Sequence, residues 1–249
     1  MIQLHSIYKT FNKGLPNQVD AINGVDLNIA DGEFVIIVGS NGSGKSTLMN
    51  LVSGSILSSS GTISIDGVDV SKLADYNRSH WIARVFQNPL SGTAPDLSIL
   101  DNFRLAALRT KSKGLNIGVT DSFKKQVKEK IAMLNMGLEN KTHQLMGTLS
   151  GGQRQALTLL MSVMDNGKIL LLDEPSAALD PKSAQVVMQT ADQLIKDFKL
   201  TAILITHNLK DAFTYGNRII QMGEGTILQD KSASEKQSLT QNDLFSWFL

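Results

Sequence analysis

The sequence predicts an α/β fold: a mainly parallel core sheet, an antiparallel β subdomain and an inserted helical subdomain. Three observations carry that prediction. Residues before Asp31 alternate apolar and polar, apolar strands and helical runs alternate from Phe34 onward, and Asn88 to Met164 turns to longer helical patterns.

In order along the chain, "IQLHSI" and "VDLNI" have the alternation of a sheet with one solvated face. "NKGLPNQ" between them reads as a loop, and Asp31-Gly32 as a turn. "FVIIV", 34–38, is apolar at every position, as a central strand covered on both faces must be. A glycine-rich segment follows, then the helix-compatible "KSTLMNLVSG". "GTISIDG" and "WIARVFQ" read as edge strands. "SILDNFRLAALR" and "SFKKQVKEKIAMLNM" repeat apolar residues at spacings of three and four, separated by Gly-rich links. "KILLLDEP" restores a buried strand, and Pro181 opens a helix over "PKSAQVVMQTADQLIKDF". "TAILITH" is another buried strand, and "RIIQM" and "GTILQD" close a hairpin around Gly223 and Gly225. The tail from Lys231 is polar until "LFSWF", too short for an appended sensor domain. One domain over 1–249 is expected. Its core and antiparallel subdomain take about 1–87 and 165–249, and its helical subdomain about 88–164.

Of 249 residues, 42% are hydrophobic, ample for a buried core. A formal net charge of +1 argues against a field that gathers nucleic acid or anionic lipid. The absence of cysteine excludes disulfides and thiolate metal sites. The N-terminus lacks a signal-peptide core, and no apolar run approaches the roughly 18 to 20 residues of a membrane span. A soluble, cytoplasmic chain is expected, reaching any membrane through a partner.

"GSNGSGKS", Gly39 to Ser46, fits the phosphate-loop pattern between a strand and a helix. Its glycines let backbone N–H groups turn inward around phosphate oxygens, and the helix N-terminus adds partial positive charge. Lys45 would reach the β- and γ-phosphates and Ser46 would meet Mg²⁺; the bland alternative is a chance Gly/Ser turn. "ILLLDE" ends a buried strand in two carboxylates, which is costly without a cation or a reacting water. Asp173 is placed for Mg²⁺ and Glu174 for polarising water. His207 ends the next buried strand, where an imidazole could bond a γ-phosphate; alone it is more often incidental. Gln87 ends "WIARVFQ" and carries no meaning alone. Phe11 could stack on a base or simply be core.

"LSGGQ", 149–153, is a second glycine loop feeding a helix N-terminus. Its structural alternative is a helix capped by Ser150. The following helix shows Ala156, Leu159, Leu160, Val163 and Met164 along one face.

Together GSNGSGKS, Gln87, LSGGQ, ILLLDEP, AALD and His207, in this order, resemble the nucleotide-binding subunit of ATP-binding cassette (ABC) transporters over essentially the whole chain. The resemblance implies a phosphate-loop NTPase fold of ABC type and ATP with Mg²⁺ as cofactors. It implies an ATP site of Phe11, Gly39, Ser40, Asn41, Gly42, Ser43, Gly44, Lys45, Ser46 and Thr47. Across a homodimer formed on ATP, Ser150, Gly151, Gly152 and Gln153 of the signature loop and Asp180 of the D-loop (Ala177 to Asp180) would cap it. Ser46, Gln87 and Asp173 would serve the metal, and Glu174, His207 and Gln87 catalysis. It further implies integral membrane permease subunits docking near Gln87, indirectly an extracytoplasmic solute-binding protein, no nucleic acid, and a place on the cytoplasmic face of the membrane.

Three departures stand out. The D-loop begins with Ala177 where serine is common, Asn208 follows His207 where aspartate is frequent, and "ALTLLMSVM" replaces the arginine-bearing run after the signature. That helix and "QNPLSGTAPDLSILDNF" resemble a branch of bacterial uptake systems, some linked to amino acids such as tryptophan or tyrosine. Rival readings are a lipoprotein-releasing or membrane-remodelling ATPase of the same family, a soluble ATPase acting on DNA or ribosomes, and a phosphate-loop kinase. The chain has no heptads, no cysteines and a single motif set, unlike the repair and translation ATPases. A kinase would lack LSGGQ.

Overall fold

A computed structural model describes residues 1–109, 118–165 and 167–247. The Gly-rich link expected between the first two insertion helices lies outside them over 110–117, as does Phe248 of the apolar tail. The chain opens with β1 (Ile2–Phe11), β2 (Val19–Ile29) and β3 (Phe34–Val38), then α1 (Lys45–Ser53). Next come β4 (Ser60–Ile65), β5 (Val68–Asp69), α2 (Asp75–Arg78) and β6 (Ile82–Val85). Three helices follow, α3 (Ile99–Ala107), α4 (Asp121–Ala132) and α5 (Gly151–Ser162). The chain then runs β7 (Ile169–Asp173), α6 (Pro181–Asp197), β8 (Thr201–Ile205), α7 (Leu209–Thr214), β9 (Arg218–Gly223) and β10 (Thr226–Lys231). Two short helices end it, α8 (Ala233–Ser238) and α9 (Gln241–Phe245).

Two sheets form. The smaller has the order β2-β1-β4-β5 and is antiparallel throughout. The larger has the order β10-β9-β3-β8-β7-β6, with only β10 antiparallel. Strands apolar at every position become central because both of their faces are covered. Phe34, Ile36 and Val38 join one apolar cluster with α3 to α7, whereas Val35 and Ile37 join another with α1 and the antiparallel sheet. Burying each strand face in this way is worth about 25 cal/mol per Å² of apolar surface. Parallel β6 and β7 are sheet neighbours although α3, α4 and α5 lie between them in sequence, so these helices are a true insertion.

Four expectations need correction. "GTISIDG" is not an edge strand, since β4 pairs with β1 on one side and the short β5 on the other. "WIARVFQ" is an edge strand, but it ends at Val85, leaving Gln87 beyond the ladder and exposed. The signature helix α5 is not one-faced, since Arg154 to Ser162 are all buried. It is wedged between α6, β6 and the other insertion helices, which removes any solvent side. The polar tail contains α8 and α9, each opened by a capping box, Ser232 with Glu235 and Thr240 with Asp243. Leu244 of α9 is fully buried, anchoring the tail on the core.

Arg78 is the largest fully buried side chain. Its Nη1 donates to the carbonyls of Leu51 and Val52 at 2.6 and 2.9 Å, and its Nε to Leu73 at 2.9 Å. It thereby satisfies the C-terminal carbonyls of α1, the helix that follows the phosphate loop. Arg78→Ala should lower stability by about 3 kcal/mol, from lost charged hydrogen bonds and a cavity. Urea unfolding measures this; a loss below about 1 kcal/mol, the worth of one ordinary hydrogen bond, would rule out the anchoring role.

Candidate functional site

The phosphate loop connects β3 to α1 at the C-terminal edge of the parallel strands, where such folds bind ligands. Close approach dictates two of its glycines. A Cβ on Gly39 would lie 2.2 Å from the Met222 carbonyl oxygen, and one on Gly44 2.7 Å from that of Ala21. Both also have positive φ, 147° and 99°. The loop is therefore held between β2 and the β9–β10 turn, with Gly225 donating to the Ser43 carbonyl at 3.1 Å. Helix α1 has no side-chain cap and no acidic residue in its first turn. By contrast α3, α5, α6 and α7 each accept first-turn N–H groups on a side chain. The N–H groups of residues 45–47 are thus left for an anion.

Lys45 is buried, with Nζ 2.8 Å from the carbonyl oxygens of both Gly39 and Ser40. Desolvation lowers its pKa, while the nearby carboxylates of Glu174 and Asp173 act to raise it. An ammonium desolvated inside the loop and beside two carboxylates is placed to exchange its carbonyl partners for phosphate oxygens. The donor set fits ATP. It also fits Mg²⁺, which in nucleotide sites takes one or two carboxylates plus phosphate oxygens and waters rather than an all-protein cage.

Asp173 ends β7 and Glu174 follows it. The Glu174 N–H donates to the Ile205 carbonyl at 3.0 Å, and the Thr206 N–H to that of Ile37 at 3.3 Å. These bonds draw the ends of β7, β8 and β3 together beside the loop. Glu174 has φ 46°, a left-handed conformation that a non-glycine residue adopts at a cost of order 1–3 kcal/mol. Its carboxylate is 20% exposed and lies 3.0 Å from Nδ1 of His207. The structure brings Lys45, Asp173, Glu174 and His207 to one place.

The other sequence-predicted residues have assigned positions too. Phe11 ends β1 in register with Val19, and Lys9 Nζ lies 5.0 Å from its ring centroid. Ser150 is the N-cap of α5 and forms a reciprocal box with Gln153, at 3.3 and 3.2 Å. The signature glycines pack within the chain: a Cβ on Gly152 would lie 2.5 Å from Ser183 Cβ, and one on Gly151 3.2 Å from Leu179. Asp180 caps α6, accepting from the N–H groups of Lys182 and Ser183, and its bonds with Ser183 lower its pKa. The D-loop carries no hydroxyl at Ala177, and the Ser176 hydroxyl just before it donates to Asp211 of α7 at 3.4 Å. Asn208 caps α7 through the N–H groups of Lys210 and Asp211, a task its amide oxygen performs as an aspartate would.

Sequence reasoning missed three side chains. Arg84 on β6 donates to Asp173 at 2.7 Å. Arg154 donates to the carbonyls of Met146, Gly147 and Leu149 at 3.2, 2.9 and 3.2 Å, bracing the approach to the signature loop. Gln155, 1% exposed, donates to the Phe86 carbonyl at 2.7 Å. The signal for Arg84 was a charge inside the apolar strand "IARVF", which needs a buried partner. No sequence signal marked the other two.

Residues 22–177 match the family described as ABC transporter. The chain belongs to that family and is an ATP-binding, ATP-hydrolysing subunit of a transporter. It is 39% identical to the tyrosine transport ATP-binding protein of Clostridioides difficile (strain R20291), over 100% of this chain and 98% of that one. It is 35% identical to the macrolide export ATP-binding/permease protein MacB of Campylobacter fetus subsp. fetus, over 97% of this chain but 36% of MacB. Among solved structures it resembles the ATP-binding cassette MJ0796, in a dimeric post-hydrolysis state bound to ADP and Pi. The TM-score is 0.80 and the identity 29%, over 94% of this chain and 99% of that one.

Proposed function

We propose that this chain energises a bacterial importer for a small solute of amino-acid type. It works as a homodimer on the cytoplasmic face of the membrane, beneath permease subunits served by an extracytoplasmic solute-binding protein. The end-to-end similarity to a tyrosine transport ATP-binding protein supports the solute class.

The observation that carries the dimer is a separation within the chain. Lys45, Asp173, Glu174 and His207 converge, whereas the Ser150 loop packs on Leu179 and Ser183 and needs a second molecule's phosphate to bind. The signature loop of each chain then closes on the nucleotide of the other. Phe11 stacks on the base, and Gly39 to Thr47 wrap the phosphates. Bound Mg²⁺·ATP supplies the γ-phosphoryl group and the charge that steadies its transfer to water. Ser46, Gln87 and Asp173 serve the metal. Glu174 accepts the proton of the attacking water, and His207 fixes that carboxylate through Nδ1. A neutral ring bonded in this way leaves Nε2 an acceptor, so donation to the γ-phosphate requires a second ring proton.

Residues 88–164 form the subdomain that moves with the partner. The cleft beside it, about 900 Å³ and lined by Tyr76, Arg84, Leu105, Arg109 and Met161, receives a permease segment.

The trans arrangement is tested by mixing. Lys45→Ala and Ser150→Ala chains, each inactive alone, should recover one competent site in a mixed dimer and with it about half the wild-type rate per dimer, since one of two equivalent sites is intact. Absent recovery despite demonstrated mixing would argue against a trans role for Ser150. The 35% identity to MacB favours a second reading, an efflux or lipoprotein-releasing ATPase. Reconstitution with the co-purifying permease decides between them: import predicts ATPase stimulation by a solute-loaded binding protein, export predicts none.

A further inference from the structure

Arg84 stands beside the expected metal site, yet nothing in the reaction described above employs it. It projects from β6, the edge strand next to β7, in register with Leu171. One nitrogen, Nη2, donates to Asp173 Oδ2 at 2.7 Å, while Nη1 donates to Asn50 Oδ1 of α1, also at 2.7 Å. The guanidinium carbon lies 4.7 Å from the ring centroid of Phe86. The pair is largely withdrawn from water, with side chains 13% and 17% exposed. Nε is buried without a hydrogen-bond partner.

A guanidinium in this setting is always charged and is fixed in one plane by Asp173 and Asn50, with a longer 3.5 Å contact to Ser53 Oγ. Asp173 is therefore already neutralised. A dication arriving with nucleotide must share this carboxylate with a cation bonded to it, or drive that cation off. Either outcome costs attraction that a bare carboxylate would give to the metal. Without the metal, the same guanidinium offsets carboxylates that would otherwise repel the nucleotide's phosphates.

We propose that Arg84 is a positioning residue that serves as an internal counter-ion for Asp173, raising the Mg²⁺ concentration needed for metal-dependent nucleotide binding and sustaining binding without metal. The inference rests on the assignment of Asp173 to the metal. It makes nucleotide capture less sensitive to Mg²⁺ than the carboxylates alone would make it.

The test is binding of a fluorescent ADP derivative across a Mg²⁺ titration, and again in excess EDTA, with the full-length chain. Arg84→Met should lower the Mg²⁺ midpoint about tenfold and weaken metal-free binding several-fold, as expected for removing a unit charge at contact distance. Arg84→Lys should return both values toward wild type. Asn50→Ala, which removes the nearer neutral acceptor but not the charge, should leave the midpoint within about twofold of wild type, because a neutral amide adds little to the charge beside Asp173. A purely structural Arg84 would lower the melting temperature and leave the midpoint unmoved, overturning the proposal. Should Arg84→Met fail to fold, Arg84→Gln gives the same readout with the hydrogen bonds partly kept. Asp173→Asn separates the two readings: if it keeps a wild-type Mg²⁺ midpoint, the metal assignment itself is wrong.

Discussion

Glu174→Gln should bind ATP with near wild-type affinity while hydrolysing it about 10² to 10⁴ times more slowly, the range for loss of a positioned general base. The amide keeps the shape and the contact with His207 but cannot take a proton from water. The backbone at Glu174 is already left-handed, and glutamine inherits that conformation unchanged. The loss should therefore fall on turnover, with folding little affected. Because hydrolysis is what removes the γ-phosphate between the two halves, the variant should accumulate as an ATP-bound dimer. Single-turnover hydrolysis and light scattering measure the two effects together. Wild-type turnover would remove Glu174 from the role of base, and slow turnover in a monomer would leave the base but sink the dimer.

Lys45→Ala should weaken ATP binding about 30- to 100-fold, the equivalent of 2 to 3 kcal/mol of charge-assisted hydrogen bonding. The side chain has two tasks. Its Nζ donates to the carbonyls of Gly39 and Ser40, and on the proposed reading it turns to phosphate oxygens when nucleotide binds. Its removal leaves the loop glycines in place, held by Met222 and Ala21 from outside, so the fold should survive. Calorimetric titration with ATP gives the answer. Unchanged affinity would refute the phosphate-loop assignment. Lys45→Arg should not rescue, since a planar fork does not fit where a compact ammonium sits between two carbonyls.

Most of the architecture was legible because it was written in local pattern. "FVIIV" is apolar at every position and "ILLLD" and "TAILI" at four of five, and all three lie in the interior of the large sheet. The motif order likewise pointed to the family that residues 22–177 match. What could not be read was set by tertiary contact. Helix α5 shows one apolar face in sequence but is enclosed on every side, so its Arg154 and Gln155 had to find partners inside. Arg154 found carbonyls of the preceding turn, and Gln155 found a strand end far away in sequence. Ala156 is fully buried and Met161 nearly so, so the unusual "ALTLLMSVM" run is core at both of these positions. The tail helices were hidden because their polar sequence resembles a disordered end. Only the paired Ser232–Glu235 and Thr240–Asp243 boxes betray them, and a box is persuasive only once an apolar anchor such as Leu244 is seen to be buried.

The 2.7 Å bond from Gln155 to the Phe86 carbonyl makes a mechanical tie of two loops that the sequence keeps far apart. Helix α5 is headed by Ser150, and residue 86 adjoins Gln87 just beyond the end of β6. The bond is short and partly buried, so α5 and the chain just beyond β6 are expected to shift together, as the two ends of one lever.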